Sequence, residues 1–68
     1  MLKKITNEAE GTQAEIRVHE DGRFVVVLRD TDAGINLPMI KLFPVYVDAL
    51  AYAYKIANVP MPAGSTNA

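Results

Sequence analysis

Apolar and polar residues alternate in two runs of the chain, Ala14–Val18 and Arg23–Leu28, with the four residues His-Glu-Asp-Gly between them at positions 19–22. Alternation with a period of two is typical of half-buried β-strands. Acidic residues and glycine between two such runs are typical of a tight turn. The pattern therefore predicts a β-hairpin.

The length of the turn decides the register of this hairpin, and the register decides which side chains face the core. A two-residue Asp-Gly turn would mix charged and apolar side chains on both faces. A three-residue loop with a bulge, in which Gly22 adopts the left-handed conformation, instead pairs Val18 with Phe24. We expect this register because it makes one face wholly apolar, with Ile16, Val18, Phe24, Val26 and Leu28. The opposite face then carries Glu15, Arg17, His19, Arg23, Val25, Val27 and Arg29.

Further strands and one helix are indicated on either side of the hairpin. The run Ile35–Phe43 predicts a strand, and we expect its ordered part after Pro38 because proline is tolerated at a strand start or an edge. Leu2–Thr6 is a candidate short strand. Residues 45–58 place apolar side chains at helical spacing, and Pro44 suits the first turn of a helix.

These elements predict an α+β fold in which an antiparallel sheet packs against one C-terminal helix. The sheet has three strands, or four if Leu2–Thr6 pairs with the hairpin. A single β-β-β-α domain is expected over residues 14–58, after an N-terminal segment 1–13 and before a disordered tail 59–68. The expected core comprises Ile16, Val18, Phe24, Val26, Leu28, Leu42 or Phe43, Tyr46, Ala49, Leu50, Ala53 and Ile56.

The predicted helix is apolar over more of its circumference than one sheet can cover. Its apolar arc spans roughly 200°, about twice the stripe that a surface helix needs. Val47, Leu50 and Tyr54 lie at one margin of this arc and form a candidate binding surface, the helix margin. The alternative is that the terminal segments fold over this margin or that the tyrosines reach out to water.

Length and composition favour self-association. A chain of 68 residues has a small core, and domains below about 70–80 residues usually need a disulfide, a metal or a partner. The absence of cysteine excludes disulfides, and a single histidine argues against structural zinc. We therefore expect a homodimer or another homo-oligomer.

Residues that carry out catalysis are scarce in this chain. The one serine, Ser65, falls in the expected tail, so no serine triad can form in the ordered part. His19 lies beside two acids, but the tip of a hairpin is solvated and offers no cleft. We expect no enzyme activity, no cofactor and no metal site. The absence of a long apolar run argues against a membrane partner and favours a cytoplasmic location.

The face that carries the charged residues of the hairpin is the main candidate for binding. Val25 and Val27 lie between Arg17, His19, Arg23 and Arg29, with Lys41 a further candidate cation. An apolar centre with a charged border is typical of a protein-binding face. Arginines on a sheet face could instead contact nucleic acid, although the net charge of −1 argues against it. An ordinary solvated face is the third interpretation.

These observations favour a small non-enzymatic protein-binding module that self-associates. The size and composition are compatible with an accessory or regulatory protein of a phage or mobile element. Nucleic-acid binding through the basic face of the sheet is the alternative function.

Overall fold

Four strands and one helix follow one another in the computed structural model, which describes residues 2–62 apart from the side chain of Met39. The elements are β1 Lys3–Asn7, β2 Thr12–Val18, β3 Phe24–Asp30, β4 Ile35–Phe43 and α1 Tyr46–Ala57. The strands form one antiparallel sheet in the order β1-β2-β3-β4. The predicted fold class is confirmed, and the N-terminal segment supplies the fourth strand.

The bulged register of the central hairpin is confirmed. Val18 pairs with Phe24, and Ile16 pairs with Val26. Gly22 adopts the left-handed conformation with φ of 90°, which glycine reaches without a steric penalty. The turn closes through the N–H of His19, which donates to the carbonyl oxygen of Arg23 at 2.7 Å. Every side chain of the hairpin is thereby assigned to one of the two faces of the sheet.

The helix packs on one face of the sheet, which we call the inner face. From the sheet, this layer buries Ile5, Ala14, Ile16, Val26 and Leu28. From the helix it buries Ala49, Ala53 and Ala57, which are spaced by four residues and so lie on one side. Since alanine has a short side chain, the helix backbone lies close to the strands.

The expected core needs correction where the hairpin turns. Val18 is 56% exposed and Tyr46 is 36% exposed, although we expected both in the core. Both lie at the end of the inner face where the helix begins, so little backbone covers them. The Tyr46 ring contacts the ring of Phe24 edge-on, with the centroids 5.5 Å apart. Phe43, which pairs with Phe24, faces inward, and this settles the choice between Leu42 and Phe43.

The expectation that β4 becomes ordered only after Pro38 is wrong. The strand spans Ile35–Phe43, and its pairing with β3 shifts between Val27 and Arg29. An edge strand needs hydrogen bonds on one side alone, and an irregular register accommodates a residue without an N–H group. The chain therefore passes through the proline without ending the strand.

The C-terminal end of the helix is held by Asn7, the last residue of β1. Asn58 adopts the left-handed conformation at the C-cap, as its position after the last apolar residue predicted. Asn7 Nδ2 donates to the carbonyl oxygens of Ala57 at 2.9 Å and Asn58 at 3.2 Å. Val59 packs partly against the core. Of the segment for which we expected a disordered tail, residues 63–68 lie outside the described residues.

Candidate binding face

The face of the sheet that points away from the helix, the outer face, carries four aliphatic side chains on its two last strands. Val25 pairs with Leu42 and Val27 pairs with Ile40, so the four side chains form a compact group. We call this group the apolar quartet. Ile40 is 64% exposed, whereas Val27 is 7% exposed because it is surrounded by neighbours on both adjacent strands. The outer face therefore carries an aliphatic group in which Ile40 is the exposed member and Val25 and Leu42 are half-buried.

An ion pair with a buried carboxylate borders the apolar quartet on β2. Glu15 pairs with Val27, and Arg17 pairs with Val25, in the same two rows of side chains. The Arg17 guanidinium forms an ion pair with the Glu15 carboxylate. Glu15 is 4% exposed, whereas the Arg17 side chain is 46% exposed. The Glu15 carboxylate is thus covered by its neighbours and its charge is balanced by Arg17, whose side chain reaches solvent.

Two further cations complete the border of the outer face. Lys4 pairs with Glu15 from β1 and is exposed. Arg29 lies beyond Val27 on β3, and its guanidinium donates to the carbonyl oxygen of Gly34 at 3.0 Å. Among the described residues, the outer face carries three cations around one carboxylate. An aliphatic centre with a charged border is the usual composition of a protein-binding surface.

His19 and Arg23 lie at the tip of the hairpin rather than among the rows of the outer face. Both contact Asp21: His19 Nδ1 is 3.0 Å from its carboxylate and an Arg23 guanidinium nitrogen is 2.6 Å away. The hydrogen bond from the Arg23 side chain holds the pKa of Asp21 well below its usual range. The three residues form a local cluster that stabilises the turn.

Lys41, the further candidate cation, lies on the inner face. It pairs with Val26, and its ammonium group lies 5.4 Å from the ring centre of Phe43 and 5.1 Å from that of Tyr52. These distances are typical of cation–π contacts. Lys41 therefore stabilises the edge of the helix–sheet layer and contributes no charge to the outer face.

The three residues of the helix margin do not form one exposed surface. Leu50 and Tyr54 are half-buried and pack against the core of the same molecule. Val47 is 49% exposed. A shallow groove of about 340 Å³ at the end of the helix is lined by Tyr54, Lys55, Asn58, Val59 and Pro60. The helix margin thus offers a smaller apolar area than its spacing predicted.

Within residues 2–62, no group of three histidine, cysteine or acidic side chains comes together to hold a metal ion. No helix in that range is long and apolar enough to cross a membrane.

No protein-family model, curated protein or solved structure matches the chain.

Proposed function

We propose that this protein is a non-enzymatic binding module that self-associates through the apolar quartet and its charged border. The exposure of Ile40 in the aliphatic centre of an uncovered sheet face carries the proposal. The apolar part of a sheet face is stable when another layer covers it. The helix covers the inner face, and a protein partner would cover the outer one.

The two edges of the sheet favour association through the face rather than by strand addition. β1 has five residues and carries Lys3 and Lys4. β4 carries Pro38, an irregular register and Lys41. Short strands, prolines, bulges and lysines are features that oppose pairing between sheet edges. A partner therefore has a more favourable contact on the outer face than along either edge.

The small core gives the second reason for self-association. Ile16 and Val26 are the largest side chains that are fully buried, and the helix buries three alanines against the sheet. Without cysteines no disulfide adds to the stability. A second layer on the outer face would remove further aliphatic surface from water, at about 25 cal/mol per Å².

Light scattering on a size-exclusion column tests self-association at high micromolar concentration. We expect the wild type to elute as a dimer or higher oligomer and Ile40→Glu to elute as a monomer, because a carboxylate cannot be buried unpaired. The matched control is Val18→Glu, at a valine that is 56% exposed on the inner face. A monomeric wild type, or equal oligomers for wild type and Ile40→Glu, would contradict the proposal.

Nucleic-acid binding is the second candidate function, favoured by the excess of Lys4, Arg17 and Arg29 over Glu15 on the outer face. It ranks second because Arg17 already pairs with Glu15 and Arg29 already donates to Gly34. A fluorescence titration with duplex and single-stranded oligonucleotides at two salt concentrations tests it. Binding through phosphates would weaken steeply with salt, whereas no binding at low salt would exclude this function.

A further inference from the structure

Two neighbouring rows of side chains run across the strands of the outer face. The two rows carry opposite charges on β2 and aliphatic residues on β3 and β4. One row contains Glu15, Val27 and Ile40, in register across β2, β3 and β4, and Lys4 continues it on β1. The next row consists of Arg17, Val25 and Leu42. Each residue of one row is two positions along the same strand from its counterpart in the other. The pair of rows is thus complementary to itself after rotation by 180°.

We infer that a second copy of this chain stacks on the outer face about a two-fold axis that runs perpendicular to the strands, between these two rows. The inference rests on the proposed function, because it gives the arrangement of the copies in the proposed dimer. Closed two-fold dimers use the same surface on both subunits. In this arrangement each strand lies over the same strand of the second copy, with its direction reversed.

The rotation brings opposite charges together across the interface. Glu15 lies over Arg17 of the second copy, and Arg17 lies over its Glu15. The pair that each monomer already forms would become a network of two carboxylates and two guanidinium groups. A buried carboxylate is stabilised by additional charged donors. The charge of Glu15 would then determine how the two copies are oriented relative to each other.

The same rotation stacks the apolar quartets. Val27 lies over Val25 of the second copy, and Ile40 lies over its Leu42. At the border, Arg29 approaches Arg23 of the second copy, whose charge is compensated by Asp21. Packed sheets cross at about 30°, so their borders diverge and this contact stays solvated.

Two-fold axes along the strands give a poorer fit. An axis between β3 and β4 also stacks the apolar quartet, with Val27 over Ile40 of the second copy, but it leaves β1 and β2 outside the contact. An axis along β3 places the Glu15 carboxylate on Ile40, which costs free energy. Of these three, the perpendicular axis alone pairs Glu15 with Arg17 of the second copy while it stacks the apolar quartets. Lys4 then lies at the border of the contact and stays solvated.

The outer face is large enough for a stable dimer. Its four strands have five to nine residues each. With strands about 4.8 Å apart and a rise of about 3.3 Å per residue, the sheet measures about 19 by 25 Å. A contact over this face has the size of the smaller stable interfaces, which bury about 600 Å² on each partner.

Charge exchange between the two rows tests the orientation. We expect Glu15→Arg alone and Arg17→Glu alone each to weaken the dimer about 100-fold, because like charges then face each other at two places. Mixed in equal amounts, the two variants should form a heterodimer of near wild-type affinity, in which both cross-contacts pair opposite charges. The control mixture combines Glu15→Arg with Arg29→Glu. It has the same net charges but keeps one contact between arginines, so it should stay at least about tenfold weaker than the first mixture.

Single cysteines provide a second measurement, which does not require Glu15 to be replaced. Since the chain has no cysteine, Ile40→Cys and Leu42→Cys each carry one thiol. Under mild oxidation, a mixture of the two should cross-link faster than either variant alone and faster than Ile40→Cys mixed with Val27→Cys. Circular dichroism checks that every variant is folded.

The outcomes separate this inference from the proposed function. A dimer in which the mixture of Ile40→Cys and Val27→Cys cross-links fastest would overturn the perpendicular axis and leave self-association through the outer face standing. A dimer in which both charge mixtures recover equally would also overturn it. A strictly monomeric wild type would overturn both.

Discussion

The two faces of the sheet are built from alternate residues of the same strands, yet a helix of this chain covers one of them and leaves the other open. On β2 the faces differ clearly: Ile16 is fully buried, and its neighbours Glu15 and Arg17 point the other way. On β3 they do not differ, because the five residues Phe24–Leu28 are all apolar. A strand that is apolar at consecutive positions is typical of a sheet covered on both sides.

This contrast divides the sheet into two halves. The outer side of β1 and β2 carries polar and charged groups such as Lys4, Thr6 and Gln13. The outer side of β3 and β4 carries the apolar quartet. The helix has no second surface with which to cover the quartet. The two halves of the sheet therefore differ in the side chains that they expose on this face, and mutation and unfolding measurements test that difference.

The largest expected effect is on the inner face. Replacement of Ile16, which is fully buried, by alanine should lower the free energy of unfolding by about 2–5 kcal/mol, because a cavity is left under the helix. That amount is comparable with the total stability of so small a domain. The matched change on the outer face is Ile40→Ala, for which we expect a much smaller effect on the monomer. Urea unfolding at low protein concentration measures both, and similar losses would show that the two faces do not differ as described.

Part of this contrast was accessible from the sequence. The apolar face of the hairpin could be predicted because one register alone separates Ile16 and Val26 from the charged residues. The helix and its C-terminal end could be predicted from apolar spacing and from Asn58. These features depend on local pattern and turn chemistry, which a single sequence contains.

The composition of the outer face could not be predicted in full. Ile40 and Leu42 share a face because side chains alternate, but which face they take depends on the length of the turn between Asp30 and Ile35. The shift of two positions keeps that face and changes only which residues of β3 they oppose. Lys41 lies on the inner face for the same reason. Lys4 lies on the outer face because β1 pairs with β2. The pairing of so short a terminal strand depends on tertiary contacts, so the position of Lys4 could not be predicted. The burial of Glu15 results from covering by neighbours on three strands and has no local signal.

The next largest effect is the dependence of the apparent stability on protein concentration. If the outer face is covered by a second copy, the apparent stability should rise with protein concentration, by about 2.7 kcal/mol at 100 times the dissociation constant. Ile40→Glu should show no such dependence, whereas Val18→Glu should keep it. Thermal unfolding over a wide range of concentrations measures this. An unfolding midpoint of the wild type that does not change with concentration would argue that the open face is merely solvated.

A smaller loss of stability is expected at the C-terminal end of the helix, which Asn7 holds against β1. Asn7 donates to two carbonyl groups at the end of the helix, and its Oδ1 accepts the N–H of Glu10 at 3.1 Å. Those carbonyls have no partner within the helix. Asn7→Ala should cost about 1–3 kcal/mol. Hydrogen exchange should show reduced protection in the last helical turn, and Glu8→Ala, at an exposed neighbour, should change neither quantity.

The smallest effect on stability is expected at the tip of the hairpin between β2 and β3. Hydrogen bonds from the side chain and backbone of Arg23 lower the pKa of Asp21 below its ordinary value of about 3.9. Since the folded state binds the proton more weakly than the unfolded state does, this contribution is present above about pH 4 and is lost as the pH falls. The difference in urea midpoint between wild type and Asp21→Asn should therefore be larger at about pH 5 than at about pH 3. Glu20→Gln removes a charge at the adjacent position and controls for general charge effects. A difference between wild type and Asp21→Asn that is the same at both pH values would mean that the cluster at the tip does not stabilise the hairpin through the ionised carboxylate.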